Sequence, residues 1–369
     1  MKYFIYLITN VLLMNVLVNA AFQTSVFRET NNDFLGKNVC ISPLSIFQVL
    51  GLTTNGAKGV TQDEMVSTLE ATSLENLNNI NLNLLQSIRQ FETVEIANGV
   101  MTKFEPTLMF LKICIKYEAS ILPLVSAEQV NEWCAEKTHG KITKILDELN
   151  PDTVMILINA VYFKADWQHP FNPSYTYTGE FIGPTETKDV RFMTQTKNFN
   201  YYENNNVQVV ELPYKNDSTS AIVILPKDKI DVDTYLKSLD DNELNTILAG
   251  FTSKRVSLSL PKFEIEFETK FKDILMKLGM VQAFDITADF SGIKCSGGIK
   301  VNNVIHKTYL KVDEKGTEAA AVTIVKILDT AILIETITMN VNRPFIFLLR
   351  STKLPKNNDL LFLAKVADI

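Results

Sequence analysis

The chain has 369 residues, 46% of them hydrophobic and 21% charged, with a formal net charge of −6. That balance excludes a disordered chain and supplies enough apolar material for one large domain or two. The acidic excess and the scattering of Lys and Arg argue against a polyanionic partner, whether nucleic acid or heparin.

The chain opens with Met1-Lys2, an apolar stretch from Tyr3 to Val18, and Val18-Asn19-Ala20. A positive start, an apolar centre and a small-residue end read as a signal peptide over residues 1–20, with a retained N-terminal anchor or helix as the alternative. Asn10 and Asn15 interrupt the run and disfavour a membrane-spanning helix. On this reading the folded domain is 21–369. Ser42-Pro43-Leu44-Ser45 predicts a helix start, with Ser42 as N-cap and Pro43 at the first helical position. Thr61-Gln62-Asp63-Glu64 reads as a capping box opening a second helix. Helical spacing follows over Leu74–Phe91 and again over Ala127–His139, the latter closed by Gly140.

From the middle onward the pattern changes to strands. Met155 to Phe163 is apolar at almost every position, the mark of a strand covered on both faces. Val207–Leu212 and Ala221–Leu225 bracket a turn and predict a hairpin. That turn carries the glycosylation sequon Asn216-Asp217-Ser218. Val256 to Phe267 alternates and reads as one face of a sheet bent at Pro261, with Thr269 capping the helix that follows. Phe345–Leu349 and Leu360–Val366 are two closing strands. No linker, repeat or low-complexity tract divides the chain, so one mixed domain is the economical reading.

No catalytic signature of the hydrolase, phosphate-loop, zinc-protease or dinucleotide type is present, so the chain reads as a non-enzyme with no cofactor. Cys40, Cys114, Cys134 and Cys295 are widely spaced; disulfides and buried free thiols both remain open. His139, His169 and His306 have no metal-ligand spacing. The most informative stretch is Glu314-Lys315-Gly316-Thr317-Glu318-Ala319-Ala320-Ala321-Val322-Thr323 and the apolar run Ile324–Met339 behind it. The alanines suit a helix, but Val322 to Val325 is β-branched and suits a strand. A strand that slides between other strands reconciles the two. Thr317, Ala319, Ala321, Thr323, Val325 and Ile327 share one parity and carry no charge, while Glu318 and Lys326 fall on the other. A charge on the buried parity would cost several kcal/mol. Gly316 supplies the hinge.

This hinge resembles that of the serpin (serine protease inhibitor) family, and further motifs match in order. Asn38 to Ile46 is similar to the family's early helix motif, and Gly56-Ala57-Lys58-Gly59 to the turn after it. Thr138 to Ile142, Asn159 to Lys164 with Trp167, Glu211 to Tyr214, and Ala288 to Gly292 continue the match. Val341-Asn342-Arg343-Pro344-Phe345-Ile346-Phe347 is similar to the C-terminal signature. The resemblance implies an α+β fold of three sheets with about eight or nine helices and an exposed reactive-centre loop. It implies a secreted, monomeric inhibitor that traps one protease per molecule: the cut loop enters the main sheet as a new strand. It assigns Glu314, Gly316, Thr317, Ala319, Ala320, Ala321 and Thr323 to the hinge. Ser42, Ser45, Asn159 and His306 correspond to a polar shutter, and Trp167 to the breach where the loop enters.

Family spacing places the scissile bond at Thr330–Ala331, with a register one residue earlier presenting Asp329. Thr330 implies a serine protease with a small or medium apolar pocket. Leu328 and Leu333 leave chymotrypsin-like and papain-like cysteine proteases as alternatives. The Leu74–Phe91 helix lacks a basic, heparin-type face. A non-inhibitory member acting as carrier, storage protein or chaperone is the competing function, although it would need charge or bulk on the inward parity.

Overall fold

A computed structural model describes residues 22–90, 94–215, 218–302, 304–317, 335–354 and 359–369. The first 21 residues, Asn216, and residues 318–334 lie outside them, so the signal-peptide, glycosylation and scissile-bond expectations do too. Among the described residues there are nine α-helices and three sheets, of nine, five and two strands. The fold is the mixed three-sheet architecture expected.

The five-stranded sheet positions the site. Its strands are β2 (Val94–Thr102), β3 (Ser120–Pro123), β4 (Met155–Phe163), β11 (Phe263–Lys270) and β12 (Val304–Val312), in the order β11-β12-β4-β2-β3. All nine residues of β4 are buried, which explains its continuous apolar sequence. The two central strands, β4 and β12, are parallel neighbours; the pairs β11–β12 and β2–β4 are antiparallel. Behind the sheet, helix α2 (Pro43–Thr54) is buried at all twelve positions. It therefore carries almost no amphipathic stripe, and its hydroxyls turn inward on the helix itself. Thr53 and Thr54 donate to the carbonyls of Val49 and Leu50 at 2.7 and 2.8 Å.

The nine-stranded sheet holds β1 (Val39–Ile41), β6 (Tyr177–Ile182), β7 (Thr187–Glu203), β8 (Val207–Pro213), β9 (Thr219–Pro226), β10 (Thr252–Pro261), β14 (Ile337–Asn340), β15 (Phe345–Ser351) and β16 (Leu360–Val366). The β8–β9 hairpin and the antiparallel closing pair β15–β16 stand where the sequence places them.

Three sequence-derived boundaries are corrected. The alternation over Val256–Phe267 does not belong to one sheet: β10 joins the nine-stranded sheet and β11 the five-stranded one, the chain changing sheets at Pro261-Lys262. Thr269 lies inside β11 and caps nothing; helix α9 (Lys272–Lys277) starts after Phe271 with no side-chain cap. The Thr61–Glu64 pattern also fails as a capping box, because helix α3 (Gly59–Thr68) begins earlier, after Lys58. Tertiary partners claim both residues instead. Thr61 Oγ1 accepts from the Asp289 amide at 3.0 Å, and Glu64 Oε2 accepts from the amides of Val281 and Gln282. Helices α4 (Leu74–Ile88) and α6 (Ala127–Lys137) lie as predicted, shorter by two or three residues at their C-terminal ends.

One buried ion pair ties the ends of the domain. Lys365 on β16 is fully buried; its Nζ meets Asp233 of helix α7 (Val232–Ser238) and donates to the Phe34 carbonyl at 3.0 Å. Asp233 also accepts from the Gly36 amide at 2.8 Å. Lys365→Met leaves that carboxylate buried without its cation and is expected to cost about 3–5 kcal/mol in urea unfolding. Lys365→Met/Asp233→Leu should recover at least half of the loss; recovery of none would show that packing, not charge, sets the effect.

Candidate functional site

The site is built where β12 ends. Asp313 and Gly316 exchange backbone hydrogen bonds (3.0 and 3.3 Å), and the Lys315 amide donates to Asp313 Oδ1 at 3.0 Å, so the chain reverses over four residues. It then forms β13 (Gly316–Thr317), paired antiparallel with β5 (Ala165–Asp166), the short continuation of β4. Glycine is required here by close approach as well as by backbone angle. At φ +158° a Cβ on Gly316 would collide with the Ala165 carbonyl oxygen and lie 2.8 Å from Asp166 Cα.

Trp167 anchors this turn. Its amide donates to the Lys315 carbonyl at 2.7 Å and its indole Nε1 to the Asp313 carbonyl at 2.9 Å. Its ring stacks on Tyr214 with centroids 4.4 Å apart, and the Tyr214 hydroxyl meets Thr317 Oγ1 at 2.8 Å. Thr317 is buried, as is its neighbour Gly316. Burial drives the Tyr214 phenol well above the ordinary tyrosine range, so it stays neutral. Glu314 is held from three sides. Lys262 Nζ lies 2.7 Å from one carboxylate oxygen, Thr176 Oγ1 donates to the other at 2.9 Å, and the Phe171 amide donates to its carbonyl at 2.8 Å. Burial alone would raise this carboxyl, but Lys262, a backbone amide and Thr176 hold it below the usual range.

Further down the same seam lies a buried polar group. His306 on β12 and Asn159 on β4 are register partners. His306 Nε2 accepts from the Ser42 amide at 3.0 Å, which puts the imidazole proton on Nδ1. Asn159 Nδ2 donates to Asn98 Oδ1 on β2 at 2.8 Å, and Ser45 Oγ donates to the Ser42 carbonyl at 3.0 Å. Ser42 is the N-cap residue of α2, yet its side chain makes no capping bond. Ser42 Oγ, Asn159 Oδ1 and His306 Nδ1 are buried without a hydrogen-bond partner among the described residues. Burial pushes His306 from 6.5 down to about 3, keeping it neutral.

The structure thus assembles Ser42, Ser45, Asn159 and His306 in one cluster and Trp167, Glu314, Gly316 and Thr317 in another. Ala319, Ala320, Ala321, Thr323, Asp329, Thr330 and Ala331 are outside the described residues. Sequence reasoning missed Tyr214, Lys262, Thr176 and Asn98 as partners. Tyr214 closes the matched Glu211–Tyr214 motif and carried that signal; the other three carry none, because only the fold brings them to the seam. Cys40, Cys114 and Cys134 are buried free thiols, pushed by burial up to about 12, and Cys295 is an exposed free thiol.

The family model for serpins (serine protease inhibitors) matches residues 17–369. Iripin-5 of Ixodes ricinus is 32% identical over 351 residues, covering 89% of this chain and 88% of that protein. Human serpin B8 is 33% identical over 327 residues, covering 83% and 87%. Among solved structures, the native-state thermophilic serpin tengpin superposes with a TM-score of 0.88 at 32% identity, covering 96% and 94% of the two chains. Human thyroxine-binding globulin complexed with thyroxine gives 0.87 at 28% identity, covering 96% and 98%. The chain belongs to the serpin family.

Two outcomes test this geometry. Gly316→Ala should unpair β13 from β5, seen as loss of amide protection at Thr317 and altered Trp167 fluorescence, with β8–β9 protection unchanged. For His306 the folded value lies below the unfolded one, so its contribution is complete above about pH 6.5 and is lost as pH falls toward about 3. Across that window His306→Gln should flatten the pH dependence of unfolding by about one proton, ~1.4 kcal/mol per pH unit.

Proposed function

We propose that the chain is an inhibitor of serine proteases that acts once, by taking its own cleaved loop into the five-stranded sheet. One observation carries this reading. The parallel strands β4 and β12 are paired only over Leu157–Val161 and Val304–Thr308, and directly above that seam Gly316–Thr317 already pairs with β5 in the antiparallel sense. A strand entering between two parallel neighbours must run antiparallel to both if it starts as β13 does. If the β13–β5 register continued six residues further on insertion, Thr323 would come opposite Asn159 and its partner His306. The uncharged parity from Thr317 to Ile327 supports burial of that face after cleavage.

The protease attacks the loop near Thr330–Ala331, with Asp329 one register earlier, and a small or medium apolar specificity pocket suits Thr330. The chain is then substrate and trap, not enzyme, and works as a monomer with no cofactor and no heparin. The Met1–Ala20 pattern supports a signal peptide and secretion, and Asn216 supports glycosylation. A carrier function is the second reading, favoured by the likeness to thyroxine-binding globulin. It is the weaker one, because no charge or bulk stands on the inward parity to resist insertion.

Incubation with elastase- and chymotrypsin-type proteases should yield a covalent complex that survives SDS, near one protease per chain. Cleavage of every molecule without such a complex refutes inhibition. Thr317→Arg puts a charge against buried Tyr214 and should turn the chain into a substrate, raising the molecules consumed per protease at least fivefold; an unchanged ratio would refute the inward placement of Thr317 during trapping.

A further inference from the structure

Helix α5 (Leu108–Lys116) is apolar on its outer side as well as its inner one. Phe110, Cys114 and, just past its end, Tyr117 are buried in the core. On the opposite side Leu108, Met109 and Ile115 are 76%, 70% and 75% exposed, with Lys112 and Lys116 exposed among them. Leu108, Lys112, Ile115 and Lys116 stand at i, i+4, i+7 and i+8, so they form one continuous stripe. The helix contains no acidic residue, and neither lysine forms an ion pair among the described residues. Of the acids that flank it, Glu118 is paired with Arg89, and Glu105 pairs with neither lysine.

This exposure belongs to a helix pinned at both ends. The Thr107 amide and hydroxyl donate to the carbonyls of Ile293 and Gly292 at 2.8 and 2.5 Å, and Thr107 Oγ1 caps the Phe110 amide. At the other end the Tyr117 hydroxyl donates to Asn78 Oδ1 on α4 at 2.6 Å. Large apolar side chains held in water on a fixed helix mark a surface that meets something else. The helix leads into β3, which pairs with β2 only from Gly99 to Thr102, the half of the sheet remote from β5.

We propose that the outer face of α5 is a membrane-docking surface that enters the headgroup layer of an anionic bilayer. Leu108, Met109 and Ile115 supply the apolar area that leaves water. The stems of Lys112 and Lys116 lie along the same face and place their ammonium groups among the phosphates and carboxylates of the lipid heads. A protein partner fits this face less well. Interface cores favour aromatic residues and Arg and are depleted in Lys, whereas this convex helix presents Leu, Met, Ile and Lys. The net charge of −6 opposes adsorption of the chain as a whole. The apolar residues therefore carry the affinity, and the two lysines carry the choice of lipid. Docking there leaves the Gly316–Thr317 hinge clear and is independent of protease trapping.

The test is flotation of the full chain with vesicles of phosphatidylcholine alone, or of phosphatidylcholine with about one third phosphatidylserine. Wild type should float with the phosphatidylserine vesicles and bind phosphatidylcholine alone about tenfold more weakly. Leu108→Ser/Ile115→Ser should lower binding about tenfold or more with an unchanged melting midpoint. Lys112→Ser/Lys116→Ser should bind both vesicles alike, at the level of wild type on phosphatidylcholine. Residues 1–20 are present in every variant, so binding that the apolar variant keeps to within about twofold comes from elsewhere and overturns the proposal. Equal binding of wild type to both compositions overturns it as well. So does a wild type that floats with neither; if that chain then self-associates in sedimentation velocity and Leu108→Ser/Ile115→Ser stays monomeric, the face is a contact between copies.

Discussion

The seam between β4 and β12 is the constraint on which the rest of the structure depends. Two parallel strands at the centre of a sheet ordinarily stay paired along their length, because an unpaired buried backbone group costs free energy comparable to a lost hydrogen bond. Here the pairing stops at Val161 and Thr308, and β12 continues to Val312 beside β4 without it. The Trp167–Tyr214 stack and the Glu314–Lys262 pair hold the head of the seam in that state. The sheet is thus closed below, split above, and already occupied at the top by two residues of the strand that would complete it.

The polar cluster beneath that split makes the closed state less than optimal. His306, Asn159 and Ser42 each leave one buried polar atom without a partner among the described residues, and such an atom costs about 1–3 kcal/mol. Two of these atoms, on Asn159 and His306, lie on the pair of strands that would separate in the proposed insertion. His306 and Asn159 face each other across the seam, so separation exposes both at once. The proposed mechanism would draw on local instability at this seam, beside a helix α2 that is buried throughout.

Much of this was legible in the residues. β4 announced itself by an almost unbroken apolar run from Met155 to Phe163, and the hinge by a parity free of charge beside a glycine. Thr317 is the one residue of that parity among the described residues; it is buried, but so is Gly316 beside it. What escaped reading was non-local. Thr61 and Glu64 have the spacing of a capping box, but segments more than two hundred residues away take their side chains. The alternation through Val256–Phe267 is continuous in sequence although the chain passes from one sheet to another, since period-two patterning is blind to which sheet a face belongs to. Lys262, at that crossing, carries no pattern at all, yet it is the cation of the hinge carboxylate.

The most direct test of the account is amide hydrogen exchange along β4 and β12 before and after the loop is cut by a protease. Insertion predicts that residues 155–163 and 304–312 become more protected together, and that the cleaved chain melts tens of degrees higher than the intact one. Cleaved chain that keeps the exchange rates and melting midpoint of the intact protein would contradict it.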